Sequence, residues 1–210
     1  FVLLNSQSAN QRRSAMVLLN TLRPDEGELA ERLHAQVLES INSEDAAEAE
    51  SAVTIMGQHP EWMQNSLESI DQAWKRQLLD GGRPSHRFGA LLSSWGAHPQ
   101  FQSLVAEWIE TSRRQADTAQ NELVDLLSNY QGQLPSVWTE PIQRWLADQP
   151  QVVAKLLTHF DLSGANNEPL QAAIIQAIRD AQPDFERQLE LLAALPPGSP
   201  IPDAQLAMQL

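Results

Sequence analysis

The chain has 210 residues, no Cys and a formal net charge of −13, from 14 Lys and Arg against 27 Asp and Glu. The length is sufficient for a buried core, and the lack of Cys excludes a disulfide scaffold, thiol catalysis and Cys-ligated zinc. The acidic charge argues against nucleic acid as a partner, and no apolar run approaches the roughly 20 residues that cross a bilayer. Since the chain begins at Phe1 without a signal-peptide pattern, we expect a processed or excised piece of a longer protein.

Apolar residues recur with helical spacing along almost the whole chain, and no stretch shows the alternation that is typical of a half-buried strand. After Pro99, for example, Phe101, Leu104 and Trp108 follow one face of a helix. The spacing predicts an all-α protein with about eleven helices. Their approximate ranges are 8–22, 25–41, 44–57, 60–79, 84–95, 99–110, 114–130, 138–147, 150–160, 168–180 and 183–195.

Proline and glycine mark the links between these helices. Seven prolines stand where a new apolar stripe begins, which is the helical position that tolerates Pro best: Pro24, Pro60, Pro84, Pro99, Pro150, Pro169 and Pro183. Gly57 and Gly96 end two predicted helices three residues before such a Pro, and we expect both to adopt the left-handed closing conformation. The sequence Asp80-Gly81-Gly82-Arg83-Pro84 predicts that one helix stops and another starts. Links this short predict helical hairpins.

An internal repeat relates two of these links. Met56-Gly57-Gln58-His59-Pro60-Glu61-Trp62 aligns with Trp95-Gly96-Ala97-His98-Pro99-Gln100-Phe101 at an offset of 99 − 60 = 39 residues, and weaker copies surround Pro150 and Pro183. A period of about 33 to 40 residues with one helix pair per unit is typical of stacked helical repeats.

On these residues the chain resembles the HEAT-like family of α-solenoids, in which an Asp two or three residues before a Pro closes the first helix of a unit. Asp148-Gln149-Pro150-Gln151-Val152 and Asp180-Ala181-Gln182-Pro183-Asp184-Phe185 follow that pattern, while the two Gly-x-His-Pro links have Gly where the Asp would be. The resemblance implies stacked antiparallel hairpins, about five helix pairs in a single domain over residues 1–195; the alternative is an irregular helical bundle. Residues 196–210 are predicted to be a Pro-rich linker followed by a short helix.

The sequence predicts no catalytic, cofactor or metal site. None of the five His residues has a metal-ligand spacing, and Gly81-Gly82 is not followed by the Lys-Ser or Lys-Thr of a phosphate loop. The acidic stretch 43–50 predicts a helix N-terminus capped by Asn42 or Ser43. His59 and His98 hold equivalent repeat positions, so they either share one edge as a metal or phosphate site or simply close the turn before Pro.

Large aromatic side chains at one repeat position, such as Trp62 and Phe101, predict core packing. Trp138 lies in the irregular segment between the second and third repeats, and we expect it to reach the surface.

The resemblance implies a non-enzymatic interaction module or scaffold that binds a protein or peptide along the face of its stacked helices. The predicted contact residues are the polar positions that follow each repeat Pro: Glu61, Gln64, Glu68, Gln100, Ser103, Glu107, Gln151 and Lys155. An acidic, Gln-rich face predicts a basic or polar partner with salt-sensitive association. The alternatives are an enzyme or enzyme accessory, or a regulatory or oligomerisation domain of a larger bacterial protein. The lack of Cys fits the cytoplasm, which we favour, and also the periplasm, and the sequence does not determine the oligomeric state.

Overall fold

The computed structural model describes residues 2–22 and 27–197, together with Ser199. Every regular element in this part of the chain is helical, which confirms the all-α prediction. In chain order the α-helices are α1 (Ala9–Leu22), α2 (Glu28–Ser40), α3 (Ala46–Gly57), α4 (Met63–Leu79), α5 (Pro84–Trp95), α6 (Pro99–Ser112), α7 (Asp117–Ser128), α8 (Ser136–Asp148), α9 (Pro150–Leu157), α10 (Glu168–Asp180) and α11 (Phe185–Leu192). Two short 3₁₀ turns cover Pro60–Trp62 and Ala165–Asn167.

Most of the predicted proline starts are confirmed. Pro84, Pro99 and Pro150 are the first residues of α5, α6 and α9, Pro60 begins the turn that leads into α4, and Pro169 is the second residue of α10. A Pro in the first helical turn costs no hydrogen bond, because the N–H groups there have no partner within the helix.

The starts of α3 and α11 differ from the prediction. An aspartate caps each of them, because Asp45 accepts a hydrogen bond from the Glu48 amide and Asp184 accepts one from the Arg187 amide. The prediction of Asn42 or Ser43 as the cap is therefore wrong. Pro183 lies outside α11, after a cis peptide bond. Pro24 falls outside the described residues.

The prediction that Gly57 and Gly96 are left-handed is wrong. Among the described glycines a positive φ occurs at Gly27 (90°) and Gly81 (68°), whereas Gly96 has a φ of −58°. Gly57 is the last residue of α3, and a Cβ there would lie 3.3 Å from the side-chain oxygen of Ser94 on α5. Its role is thus close helix packing. Gly81 supplies the left-handed turn after α4, at the predicted stop.

The described part of the chain folds into two compact units, which are divided between Phe101 and Gln102, within α6. The prediction of a single domain over 1–195 stays a prediction. So does the linker over 196–210, of which only residues 196, 197 and 199 are described.

In the first unit α3 is the central helix. It packs against α1, α2 and α5, and α4 packs against α5. The core includes fully buried aromatic side chains, with Trp74 meeting Phe88 edge to face at a centroid distance of 5.7 Å and Trp95 meeting Phe101 in the same way at 5.9 Å. Apolar burial on facing sides of these helices is what holds the unit together.

In the second unit α9 packs against α7, α8 and α11, and α10 packs against α8 and α11. Trp138 on α8 is completely buried, and its indole N–H donates to the backbone oxygen of Gln102 at 2.8 Å. The prediction that Trp138 reaches the surface is wrong, because an indole whose N–H has an internal acceptor can be buried at little cost.

Candidate functional site

An open cavity of about 670 Å³ lies in the first unit, beside the N-terminus of α3. The segment before α1, α1 itself, the end of α2 and the α2–α3 link all contribute to its walls. Its volume is typical of ligand sites. The charged and hydroxyl groups that matter for its chemistry are Arg12, Glu39, Ser40, Glu44, Asp45 and Glu48.

Glu48, in the first turn of α3, is the completely buried carboxylate of this cavity. Arg12 donates to it twice, from Nε at 2.7 Å and from Nη2 at 2.6 Å. The hydroxyls of Ser40 and Ser43 donate to the same carboxylate at 2.9 Å and 2.6 Å. Four donors therefore satisfy a charge that would otherwise be costly to bury.

The electrostatics of the pair follow from this geometry. Burial raises the pKa of Glu48, but the hydrogen bonds from Arg12, Ser43 and Ser40 and the charge of Arg12 outweigh it, so the pKa lies below its usual value. The hydrogen bond to Glu48 raises the pKa of Arg12 more than burial lowers it. Both groups remain charged at neutral pH. Arg12 also donates to the backbone oxygen of Ser6 at 2.8 Å, which connects the segment before α1 to this ion pair.

The mouth of the cavity is negatively charged. Glu39 and Glu44 are exposed, and their carboxylates form no hydrogen bond with any described residue, while Asp45 is exposed and caps α3. Arg12 is neutralised by Glu48, so among the described lining residues three carboxylates face the opening without an equal positive charge. The mouth suits a cationic group and repels an anion.

A second polar cluster in the first unit surrounds Trp62, which is 9% exposed. The His59 ring stacks on the indole at a centroid distance of 3.9 Å, and the His34 ring stacks on it at 4.7 Å. Asn20 and Glu61 bind the two nitrogens of His59. The two alternatives for His59 and His98, a shared edge or simple closure of the turn before Pro, stay untested. In the described part of the chain, no three His, Cys, Asp or Glu residues are grouped in a way that could hold a metal ion.

A surface network of ion pairs joins α6 to α8 in the second unit. The carboxylate of Glu110 accepts from Arg113 at 2.7 Å, from Arg114 at 2.8 Å and from Arg144 at 3.5 Å, and Arg113 also pairs with Asp148. The hydrogen bond from Arg113 is the main reason that the pKa of Glu110 falls to about 2, with the charges of the three arginines adding to it against a smaller effect of burial. The network links the two helices and is not a ligand site, because its carboxylates are already paired with arginines.

All eight predicted contact side chains are exposed. In the first unit Glu61 belongs to the 3₁₀ turn, Gln64 and Glu68 lie on α4, and Gln100 is the second residue of α6. In the second unit Ser103 and Glu107 lie on α6, and Gln151 and Lys155 lie on α9. Gln64 and Glu68 are four positions apart and therefore lie on one side of α4. Their role in binding stays a prediction.

The cavity beside α3 was missed by the sequence reasoning. The acidic stretch 43–50 does begin a helix, as predicted, but the partner of its buried carboxylate is 36 residues away at Arg12. An arginine in a polar stretch, as in Arg12-Arg13, carries no signal of such a contact. The available clue was a Glu three residues after the capping Asp45, a position from which side chains commonly return toward the cap.

α1 also exposes large apolar side chains, with Val17 at 47%, Leu18 at 60% and Leu22 at 65%. No described segment of the chain covers them. Among the described helices, none combines the length and the apolar character that a membrane crossing requires.

Comparison with known proteins adds no family to this picture: no protein-family model, no curated protein and no solved structure matches the chain.

Proposed function

We propose that the protein is a non-enzymatic interaction module whose first unit binds a basic segment of a partner protein at the acidic cavity beside α3. The observation that carries this proposal is the charge of the cavity. Glu39, Glu44 and Asp45 stand at its mouth, while Arg12, the one arginine among its described lining residues, is paired with Glu48. A Lys or Arg side chain of a partner would meet these carboxylates in a space large enough to admit it.

The helix packing supports a repeat-type scaffold for this role. Alternate helices pack together in each unit, α1 with α3 and α3 with α5, then α7 with α9 and α9 with α11. Helices that are neighbours in sequence also pack together, such as α8 with α9 and α10 with α11. This combination is what stacked hairpins produce, so it favours the HEAT-like interpretation over an irregular bundle.

The state of the buried carboxylate favours binding over catalysis. A general base needs a free lone pair and a pKa near the working pH. Glu48 has neither, because four donors occupy its oxygens and its pKa lies below the usual value. The carboxylates at the mouth are solvated and suit weak, salt-sensitive attraction of a cation.

The test is a titration of the ¹⁵N-labelled chain with a synthetic octa-arginine peptide, with an octa-glutamine peptide as the uncharged control. We expect amide shifts confined to the end of α2 and the start of α3, and a loss of affinity of about tenfold or more when salt rises from about 50 to about 300 mM. The double variant Glu39→Lys/Glu44→Lys should abolish the shifts.

A matched variant separates this cavity from the face that the sequence predicts. Glu61→Lys/Glu68→Lys makes the same change of charge on the α4 side and should leave binding at the cavity nearly unchanged. Equal losses in both variants would show attraction by net charge alone, and a loss only in the second would move the site to the α4 face. Either result, or a failure of octa-arginine to bind, contradicts the proposal.

A further inference from the structure

We propose that the His34–Trp62–His59 stack is a pH-sensitive latch of the first unit, closed while His34 is neutral and opened when His34 takes up a proton. The latch connects three places in the chain. His34 comes from α2, His59 from the link after α3, and Trp62 from the turn that leads into α4. A fourth place in the chain contributes Asn20, near the end of α1, which forms a hydrogen bond with His59.

Two side-chain oxygens hold His59 on one side of the indole. Its Nδ1 lies 2.7 Å from Oε1 of Glu61, and its Nε2 lies 2.8 Å from Oδ1 of Asn20. The Asn20 amide nitrogen donates to Gln58 at 2.7 Å, which turns the amide oxygen toward the imidazole. Both ring nitrogens therefore lie within hydrogen-bond distance of a side-chain oxygen, which fixes the position of the ring. The His59 ring lies parallel to the Trp62 indole, with an angle of 7° between the planes.

His34 is arranged as the neutral member. The Ser66 hydroxyl donates to the backbone oxygen of Trp62 at 2.7 Å, so its oxygen accepts from Nε2 of His34 at 3.1 Å. This contact selects the tautomer with hydrogen on Nε2. Nδ1 of His34 has no hydrogen-bond partner among the described residues, so a second proton would enter a partly buried position without an acceptor.

The charges around His34 act in the same direction. Burial lowers the pKa of His34, the neighbouring charge of His59 lowers it further, and Glu61 opposes them with a smaller effect. Among the described residues, His59 and Glu61 are the titratable groups that act on His34. The other elements of the cluster supply Asn20 from α1, Trp62 from the turn before α4 and Ser66 from α4, none of which titrates in this range.

The sign of the pH dependence follows. A histidine whose pKa is lower in the folded than in the unfolded state makes its full contribution to stability when the pH is above its unfolded pKa of about 6.5. That contribution is lost as the pH falls from about 6.5 toward the lowered folded value, because the unfolded or opened chain binds the proton more readily. Acidification should therefore separate His34 from the indole, and the change should reverse on neutralisation.

The experiment follows Trp62 and His34 separately between about pH 7.5 and 4.5, a window that brackets the unfolded histidine pKa. The protein is labelled with 5-fluorotryptophan for ¹⁹F NMR, with the Trp62 resonance assigned from Trp62→Phe, and the imidazole nitrogens are followed by ¹⁵N correlation spectra. We expect the Nε2–H tautomer of His34 at the neutral end of the titration, and a Trp62 shift whose midpoint coincides with the protonation of His34. His34→Phe keeps an aromatic ring that takes up no proton, so the Trp62 transition should disappear; His86→Phe replaces an exposed histidine on α5 and should leave the transition unchanged.

A second variant keeps the test decisive if His34→Phe does not fold. His59→Phe retains a ring against Trp62 but removes the neighbouring charge, so the midpoint of His34 should move to higher pH. An unchanged midpoint in His59→Phe, a Trp62 transition that persists in His34→Phe, or no transition in the parent protein would each overturn the latch.

Discussion

Replacing Arg12 with Ala should destabilise the first unit far more than an ordinary surface substitution does. The change removes both guanidinium hydrogen bonds from the completely buried Glu48 and leaves it only the hydroxyls of Ser40 and Ser43. Removing one partner of a fully buried pair costs about 3–5 kcal/mol. The Arg12 side chain is 22% exposed, so water from the cavity can partly replace it, and we expect a loss of about 2–3 kcal/mol in the free energy of unfolding.

The assay is urea unfolding followed by circular dichroism, with hydrogen exchange of α1 and α3 to localise the effect to the first unit. Arg13→Ala is the matched control on the same helix, and it should change the free energy of unfolding by about 0.5 kcal/mol or less. Glu48→Gln alone should also destabilise, and the double variant should cost less than the sum of the two singles by about 1–2 kcal/mol.

The cost of Arg12→Ala should also depend on pH. The folded pKa of Glu48 is lowered, so the stability that the pair supplies is fully present above the unfolded value of about 4.3 and is lost as the pH falls through the folded pKa. The difference between parent and variant should therefore be constant from about pH 6 to 8 and shrink below about pH 4. A loss no larger than that of Arg13→Ala, or one that does not shrink in acid, would refute the assignment of a buried ion pair.

Two further predictions concern helix packing and the second unit. Gly57→Val should destabilise by about 1–3 kcal/mol, because even a Cβ would lie 3.3 Å from the Ser94 oxygen. Gly89→Ala in α5, where a Cβ meets nothing within 4 Å, should instead stabilise by up to about 1 kcal/mol. Equal effects of the two variants in thermal unfolding would contradict the packing explanation. Glu110→Gln should lower the melting temperature at neutral pH but not at about pH 2. Because the folded pKa of Glu110 is about 2, the contribution of the network to stability is present above about pH 4.3 and is lost as the pH falls toward 2. A melting temperature unaffected at neutral pH, or lowered equally at both values, would show that the ion pairs contribute nothing.

Local features of the sequence predicted the helices well. The range 84–95 agrees with α5 at both ends, and the range 60–79 agrees with the turn at Pro60 followed by α4 to Leu79. Helical hydrogen bonds join residues four positions apart, and an apolar stripe repeats with nearly the same period, so both signals are contained within a short segment. Pro and Asp act within the first turn, which is also local.

The features that depend on a second helix could not be predicted in this way. Gly57 was expected to end a helix in a left-handed turn, and it instead provides space for α5. Trp138 was expected at the surface, and it is buried because the backbone oxygen of Gln102, 36 residues earlier, accepts its N–H. The pattern around each residue was compatible with both outcomes.

The sequence by itself determined an all-α chain, the approximate bounds of its helices and an excess of acidic groups. Only the tertiary structure decided which acidic groups are solvated and which are buried. Glu48 and Glu44 stand four positions apart in one acidic stretch, yet Glu48 is completely buried against Arg12 while Glu44 faces the cavity mouth. The physical reason is that charge is a property of the residue, whereas the free energy of a charge depends on the solvent and partners that helix packing leaves around it.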